Sequence, residues 1–356
     1  MRRVLVLGAG KIGYAIAALL SKTGTWEVTV ADKDEKALQP LSDLGVSLKP
    51  VEVEDLQALK TIAAGHWAIL SALPFSFTPI VARTAKEVGA HYLDLTEDVE
   101  STRQVKALAE GAKTAFIPQC GLAPGFISVV GYDLARKFEK LDSLHMRVGA
   151  LPEFPTGSLK YNLTWSTDGL INEYCNPCEA IVDQELREVL ALEGVEAFAM
   201  DGIDYEAFNT SGGLGTLCET LGGKIRNLDY KTVRYPGHRD LMYFLVRDLR
   251  LSERRGILKD ILETAVPITL QDVVLIFVTA RGWRGGRFEQ ESWVRKVYAA
   301  NENGEVWSAI QRTTAGGACA MLDLLHHGHL PQQGFVRQEQ ASLEQYLSSP
   351  FAHCYR

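Results

Sequence analysis

Arg3-Val4-Leu5-Val6-Leu7-Gly8-Ala9-Gly10-Lys11-Ile12-Gly13 is a short apolar run that breaks at glycine and passes into a helical pattern. A GxGxxG spacing alone is a weak signal, but here it directly follows a strand and opens a helix, the context a dinucleotide-binding turn requires. Gly8 suits the tight turn, Gly10 lets the backbone approach a pyrophosphate, and Gly13 lets the helix lie against the strand with its positive end toward the phosphates. Lys11 and Ile12, the first residues of that helix, join the cofactor-binding set. A bare turn with no ligand is the alternative. Asp32 argues against it: it ends the second strand about 20 residues further on, where an acidic side chain accepts ribose hydroxyls. The Asp32 charge would repel a 2′-phosphate, with Lys33 beside it as partial compensation, so the reading is NAD, with NADP allowed.

Outward from this turn, β-rich runs at 27–31, 67–73, 92–95 and 114–118 alternate with helical patterns beginning at 11 and covering 79–88. That alternation predicts βαβ units around a doubly wound parallel sheet, a Rossmann fold. The strand exit Ser71-Ala72-Leu73-Pro74 falls at the carboxyl edge of such a sheet, where a nicotinamide ribose is expected; a routine exit loop is the alternative. Residues 1–122 are assigned to this NAD(P)-binding domain. Cys120-Gly121-Leu122-Ala123-Pro124-Gly125 then breaks the periodicity and opens a helix running to about residue 138. Long alternating runs at 271–279, 292–299 and 306–311 suit a large mixed sheet, giving residues 123–312 as an α+β substrate-binding and dimerisation domain. The small-residue run from 314 to 325 predicts a helix that, with the tail, makes residues 313–356 return to the Rossmann domain.

The chain has 356 residues, 46% hydrophobic and 23% charged, with a net charge of −7. A length of this order favours two cores, and the composition is that of a globular protein. No basic patch with interleaved aromatics is present, which argues against nucleic acid and for a small molecule. The first apolar run is too short for a signal peptide, and no stretch reaches the ~20 apolar residues needed to span a bilayer, so no membrane partner and a cytoplasmic location are expected. The six cysteines have no framework spacing and are read as thiols. Cys175 and Cys178 are spaced C-x-x-C but lack a second pair, and His326, His327 and His329 suit the negative end of a helix, so no metal is assigned. Cys120 lies near the presumed site, but hydride chemistry needs no nucleophile.

The segments LSALPFSF (70–77), QCGLAPGF (119–126), GALPEFPTGSLKYNLTWSTDGLINEY (149–174) and KTVRYPGH (231–238), together with the glycine turn, resemble the saccharopine dehydrogenase family, which includes the lysine 6-dehydrogenases. The resemblance spans nearly the whole chain. It implies an NAD(P)-dependent oxidoreductase acting on the C–N bond at the ε-carbon of a lysine-derived amino acid. Saccharopine dehydrogenases release glutamate and aminoadipate semialdehyde, and lysine 6-dehydrogenases release ammonia. A homodimer is implied as well. Ala123 and Val148 stand where the fungal glutamate-forming enzymes carry aspartate and cysteine, which leaves the subgroup open. A non-catalytic NAD-binding sensor is a third reading, disfavoured by the polar pocket candidates.

Among those candidates, Arg234 can offer a bidentate fork from a turn, either to a substrate or to a structural carboxylate. The resemblance implies a substrate carboxylate. Residues 160–166 read as a strand with Tyr161, Leu163 and Trp165 on one face and Lys160 and Ser166 on the other. Trp165 alone could be core; the resemblance is what makes Tyr161, Trp165 and Ser166 substrate-pocket residues. Oxidation of an amine needs a proton acceptor. Glu97, then Asp94, are the candidates, because they lie at the exit of a Rossmann strand; an acidic helix cap is the alternative.

Overall fold

A computed structural model of the chain describes residues 1–302 and 304–356. The described residues form two compact units, Met1–Phe126 with Gln311–Arg356, and Ile127–Ile310.

The first unit holds β1 (Arg2–Leu7), β2 (Trp26–Asp32), β3 (Ser47–Pro50), β4 (Ala68–Ser71), β5 (His91–Asp94) and β6 (Ala115–Ile117). With the edge strand Gly334–Phe335 they make a seven-stranded sheet in the order Gly334–Phe335, β6, β5, β4, β1, β2, β3, parallel throughout. This is the doubly wound parallel sheet expected of the Rossmann reading. Its central strands β1 and β4 are apolar without alternation, as strands covered on both faces must be: Val4 to Leu7 and Ala68 to Leu70 are all fully buried. Helices Lys11–Ser21, Leu56–Ala63, Thr78–Val88 and Val99–Ala109 fall between the strands. Asp55 and Asp98 cap the second and fourth by accepting backbone N–H bonds. Leu5, Ile69, Val81, Tyr92 and Phe116 anchor the core.

The second unit is built on β7 (Lys140–Pro152), β8 (Cys178–Val182), β9 (Glu185–Val189), β10 (Glu196–Met200), β11 (Ile203–Asn209), β12 (Asn227–Arg234), β13 (Asp272–Arg284) and β14 (Arg287–Tyr298). They form a mixed eight-stranded sheet, ordered β10, β11, β12, β7, β13, β14, with β8 pairing with β12 and carrying β9. Only β12 and β7 run parallel. A separate apolar cluster gathers Tyr161, Leu163, Tyr174, Phe208, Met242 and Leu258 beneath helices Thr167–Cys175 and Arg255–Ala265.

Two local expectations are corrected. Residues 160–166 are not a strand: Lys160 has φ +49°, Leu163 makes one isolated bridge to Ile268, and Ser166 is the N-cap of the helix Thr167–Cys175. Tyr161, Leu163 and Trp165 nevertheless pack against one cluster, so the alternation tracked burial rather than strand pairing. The run at 306–311 is a strand only to Trp307, and helix Ala309–His326 starts earlier than its small residues suggest. Asp272, fully buried at the start of β13, accepts from the backbone N–H groups of Ala309 and Ile310. The helix is therefore capped by a residue distant in sequence, which no local pattern contains.

Candidate functional site

In the first unit, register aligns Ala31, Leu7, Ser71 and Asp94 across β2, β1, β4 and β5. The loops carrying Gly8–Gly13, Asp32, Ala72–Pro74 and Leu95–Glu97 thus leave one edge, with the reversal of strand order lying between β1 and β4. Gly8 has φ +99°, and a Cβ there would meet the Ala72 oxygen at 2.9 Å and Leu73 at 3.3 Å. At Gly13 a Cβ would sit 1.8 Å from the Gly8 oxygen, so the helix can approach the turn only as glycine. Gly10 differs: a Cβ there meets nothing within 4 Å, so the protein's own packing does not require a glycine. The helix Lys11–Ser21 has Gly10 as N-cap and no side-chain cap, which leaves its first amides for an outside acceptor. Open space over Gly10 and an uncapped helix start together fit a pyrophosphate. The Asp32 carboxylate accepts from Ala9 N at 2.7 Å and from Asp34 N at 2.9 Å, tying the glycine turn to the end of β2. Pro74 leads into a short 3-10 turn, and Ala72 N donates to Leu7 O, so the segment Ser71–Pro74 is docked on the glycine turn through its backbone.

The two carboxylates proposed as proton acceptors are differently placed. Asp94 is fully buried: Oδ2 accepts from Tyr92 Oη at 2.7 Å, and Oδ1 accepts from the backbone N–H groups of Thr96 at 3.0 Å and Gln119 at 2.9 Å. Burial pushes its pKa up to about 6 against the pull of those hydrogen bonds. Its oxygens clamp the exits of β5 and β6 together. Glu97 is half-buried just before the Asp98 cap of helix Val99–Ala109.

In the second unit, Arg234 is the last residue of β12 rather than part of a turn, and it is 2% exposed. Its Nε donates to Tyr174 Oη at 2.9 Å and its Nη1 to Val233 O at 2.8 Å. The guanidinium lies 5.0 Å from the Tyr161 ring centre and 5.8 Å from that of Tyr174. Its hydrogen-bond partners are neutral, and among the described residues no carboxylate forms an ion pair with it; the buried Glu173 carboxylate acts on it from beyond ion-pair distance. Tyr161 Oη is buried without a hydrogen-bond partner among the described residues. Trp165 is half-buried against the same cluster, and Ser166 Oγ is occupied as a cap, accepting from Gly169 N at 3.1 Å.

His238, unremarked in the sequence beyond its place in KTVRYPGH, is fully buried here, with Nε2 3.0 Å from Tyr174 Oη and Nδ1 3.0 Å from Leu159 O. Burial, reinforced by the Arg234 charge, lowers its pKa to about 3. Tyr174 and His238 both fall inside the segments that carried the resemblance, which was the available signal. Among the described residues none of the six cysteines is in a disulfide, and no group of three or more His, Cys, Asp or Glu side chains is placed to hold a metal. No helix of the described residues is long and apolar enough to cross a membrane.

Family models described as saccharopine dehydrogenase NADP binding domain and saccharopine dehydrogenase C-terminal domain match residues 4–116 and 121–353. Saccharopine dehydrogenase (NADP+, L-glutamate-forming) of Saccharomyces cerevisiae is 24% identical over 214 residues, covering 58% of this chain and 48% of the relative. Alpha-aminoadipic semialdehyde synthase of Arabidopsis thaliana is 25% identical over 206 residues, 49% of this chain and 19% of the relative. The chain therefore matches less than half the length of either. The solved structure of apo saccharopine dehydrogenase (L-Glu forming) from Saccharomyces cerevisiae has a TM-score of 0.78 at 17% identity, over 97% of this chain and 95% of that one, which shows a common fold. The domain description names NADP where Asp32 had favoured NAD, so NAD(P) binding stands without the preference for NAD.

Proposed function

The chain belongs to the saccharopine dehydrogenase family, and from that membership we propose that it oxidises the secondary amine of saccharopine with NADP+ and water, giving glutamate, aminoadipate semialdehyde and NADPH. The observation that carries the substrate half is Arg234: a guanidinium 2% exposed whose hydrogen bonds go only to neutral groups. A guanidinium does not lose its proton in a protein, and the buried Glu173 carboxylate acts on this one only from beyond ion-pair distance, so its remaining N–H groups are open to an anion from outside. A substrate carboxylate supplies it, and a planar fork binds it in two places. Tyr161, with its ring against the guanidinium and its hydroxyl unpartnered, lines the same pocket, with Trp165 and Ser166 at its margin. The unit 127–310 is thereby the substrate-binding domain.

The residues Gly8, Gly10, Lys11, Ile12, Gly13, Asp32 and Ser71 to Pro74 hold the dinucleotide, which supplies the hydride acceptor when bound. Lys33, beside Asp32 and 4.0 Å from Glu52, is the cation available to a 2′-phosphate. Glu97 is the proton acceptor, whereas Asp94, with both oxygens committed to internal donors, holds the loops in place.

The test is NADPH formation at 340 nm by the purified chain with NADP+ and saccharopine, glutamate being quantified alongside. In Arg234→Met the saccharopine KM should rise at least about 100-fold while NADP+ affinity holds, as loss of a charge-assisted fork demands. An unchanged KM in that variant overturns the assignment. Turnover of lysine with release of ammonia, and none of saccharopine, overturns the substrate.

A further inference from the structure

We propose that Tyr174 and a neutral His238 are positioning residues that fix the plane of the Arg234 guanidinium, so that one end of it alone is offered to the substrate. This rests on the reading of Arg234 as the carboxylate-binding group.

With a neutral imidazole, proton bookkeeping along the buried chain gives a single direction. The Leu159 carbonyl can only accept, so the His238 Nδ1 at 3.0 Å carries a proton and donates it. Arg234 Nε can only donate, so Tyr174 Oη at 2.9 Å accepts there. In the neutral imidazole Nε2 is then bare, and it accepts the tyrosine's one proton across 3.0 Å. A second proton on the imidazole would make Nε2 a donor as well, and Tyr174 Oη, then accepting from both sides, would have no acceptor for its own buried proton among the described residues.

Of the groups that face His238, the Leu159 carbonyl favours the charged ring and is outweighed by burial and by the Arg234 charge. Helix Thr167–Cys175 presents Tyr174, the preceding loop presents Tyr161 and the Leu159 carbonyl, β11 presents Phe208 with its ring 6.4 Å away, and β12 presents the Arg234 charge. That charge and complete burial both oppose protonation, as the lowered pKa of the ring records.

The consequence for Arg234 is geometric. Nε is held by Tyr174 and Nη1 by Val233 O, so the guanidinium cannot swing about its stem. Nη2 and the second hydrogen of Nη1 remain, and together they are an end-on fork for one carboxylate. The Tyr161 ring at 5.0 Å backs the same plane. A guanidinium with free rotation would bind the anion in several poses and lose the pre-organisation that makes an arginine fork selective.

Two measurements on the full chain test this. The first is a two-bond 1H–15N spectrum of 15N-histidine-labelled protein, with the His238 signals identified by their loss in His238→Gln. The expected result is a neutral ring protonated on Nδ1 from pH 8 to pH 5; a ring protonated on Nε2, or one that titrates within that range, overturns the proposal. The second compares saccharopine kinetics in Tyr174→Phe and Arg234→Met, with NADP+ affinity and thermal midpoint measured for each. Tyr174→Phe removes only the hydroxyl and should raise KM about tenfold with kcat within twofold, the change expected for one hydrogen bond to a charged group. If Arg234→Met raises KM and Tyr174→Phe does not, the positioning role fails while the carboxylate reading stands. If Arg234→Met leaves KM unchanged, the carboxylate reading fails and this inference falls with it.

Discussion

Substitution of Asp94 by asparagine separates an anchoring carboxylate from a catalytic one, because the hydrogen-bond geometry makes the variant close to isosteric. Oδ1 receives both backbone amides, Thr96 and Gln119, and an asparagine oxygen can keep both. Oδ2 receives only the Tyr92 hydroxyl, and an amide nitrogen there would donate to the Tyr92 oxygen, whose proton can turn to the Thr78 carbonyl 3.5 Å away. The fold should therefore survive. The charge does not, and its burial raises the wild-type pKa from 3.8 to about 6. A raised carboxyl pKa means that the folded state holds the proton more tightly than the unfolded chain. Wild-type stability is then highest below the unfolded pKa and is lost as pH rises from about 4 to about 6. A difference of roughly two pKa units corresponds to about 3 kcal/mol. Relative to Asp94→Asn, the wild type should thus lose about 2 kcal/mol of stability between pH 4 and pH 7, the variant being insensitive at this position. Paired urea titrations at pH 4.5, 5.5 and 7.5, referenced to each other, measure it. A wild-type-minus-variant difference that stays flat with pH refutes the buried, high-pKa carboxyl. Turnover adds a second criterion: an anchoring Asp94 leaves kcat of Asp94→Asn within about tenfold, whereas loss of a general base costs 10²–10⁴-fold.

The glycine turn predicts opposite outcomes at two neighbouring positions. Gly13→Ala drives a methyl into the Gly8 carbonyl and should destabilise the first unit by about 1–3 kcal/mol in chemical denaturation. Gly10→Ala meets no protein atom, so its thermal midpoint should match the wild type while the NADP+ dissociation constant rises at least about tenfold; unchanged binding would leave the turn without a ligand. Lys33→Ala should weaken NADP+ about two- to fivefold with NAD+ unaffected, as calorimetry of both dinucleotides would record. Asp272→Ala strips the cap from helix Ala309–His326, and hydrogen exchange at Ala309 and Ile310 should accelerate by tenfold or more, since each amide loses a buried carboxylate acceptor.

How far the sequence could be read depended on the distance over which each determinant acts. The Rossmann opening was legible because its parts are neighbours: the Gly8 oxygen that forbids a side chain at Gly13 lies five residues away in the chain, and Asp32 reaches back to Ala9 across a single helix. Strand runs in the first unit were legible for a related reason, since a buried parallel strand is apolar whatever its partners are. Arg234 was visible as a charged group in a distinctive segment, but a sequence carries no measure of its burial, and burial with hydrogen bonds only to neutral groups is what gives it meaning. The alternation at 160–166 recorded which side chains face the core and was silent on whether a neighbouring strand was there to pair with. Tertiary structure alone decided the rest. It joined Tyr174 to Arg234 and to His238 across 60 and 64 residues, set Asp272 against a helix start 37 residues on, and brought the Gln119 amide to Asp94 across 25. Each of these is a polar group removed from water, which must be satisfied by whatever the fold brings to it; local propensity says where a chain turns, and only the packed fold says which partners meet.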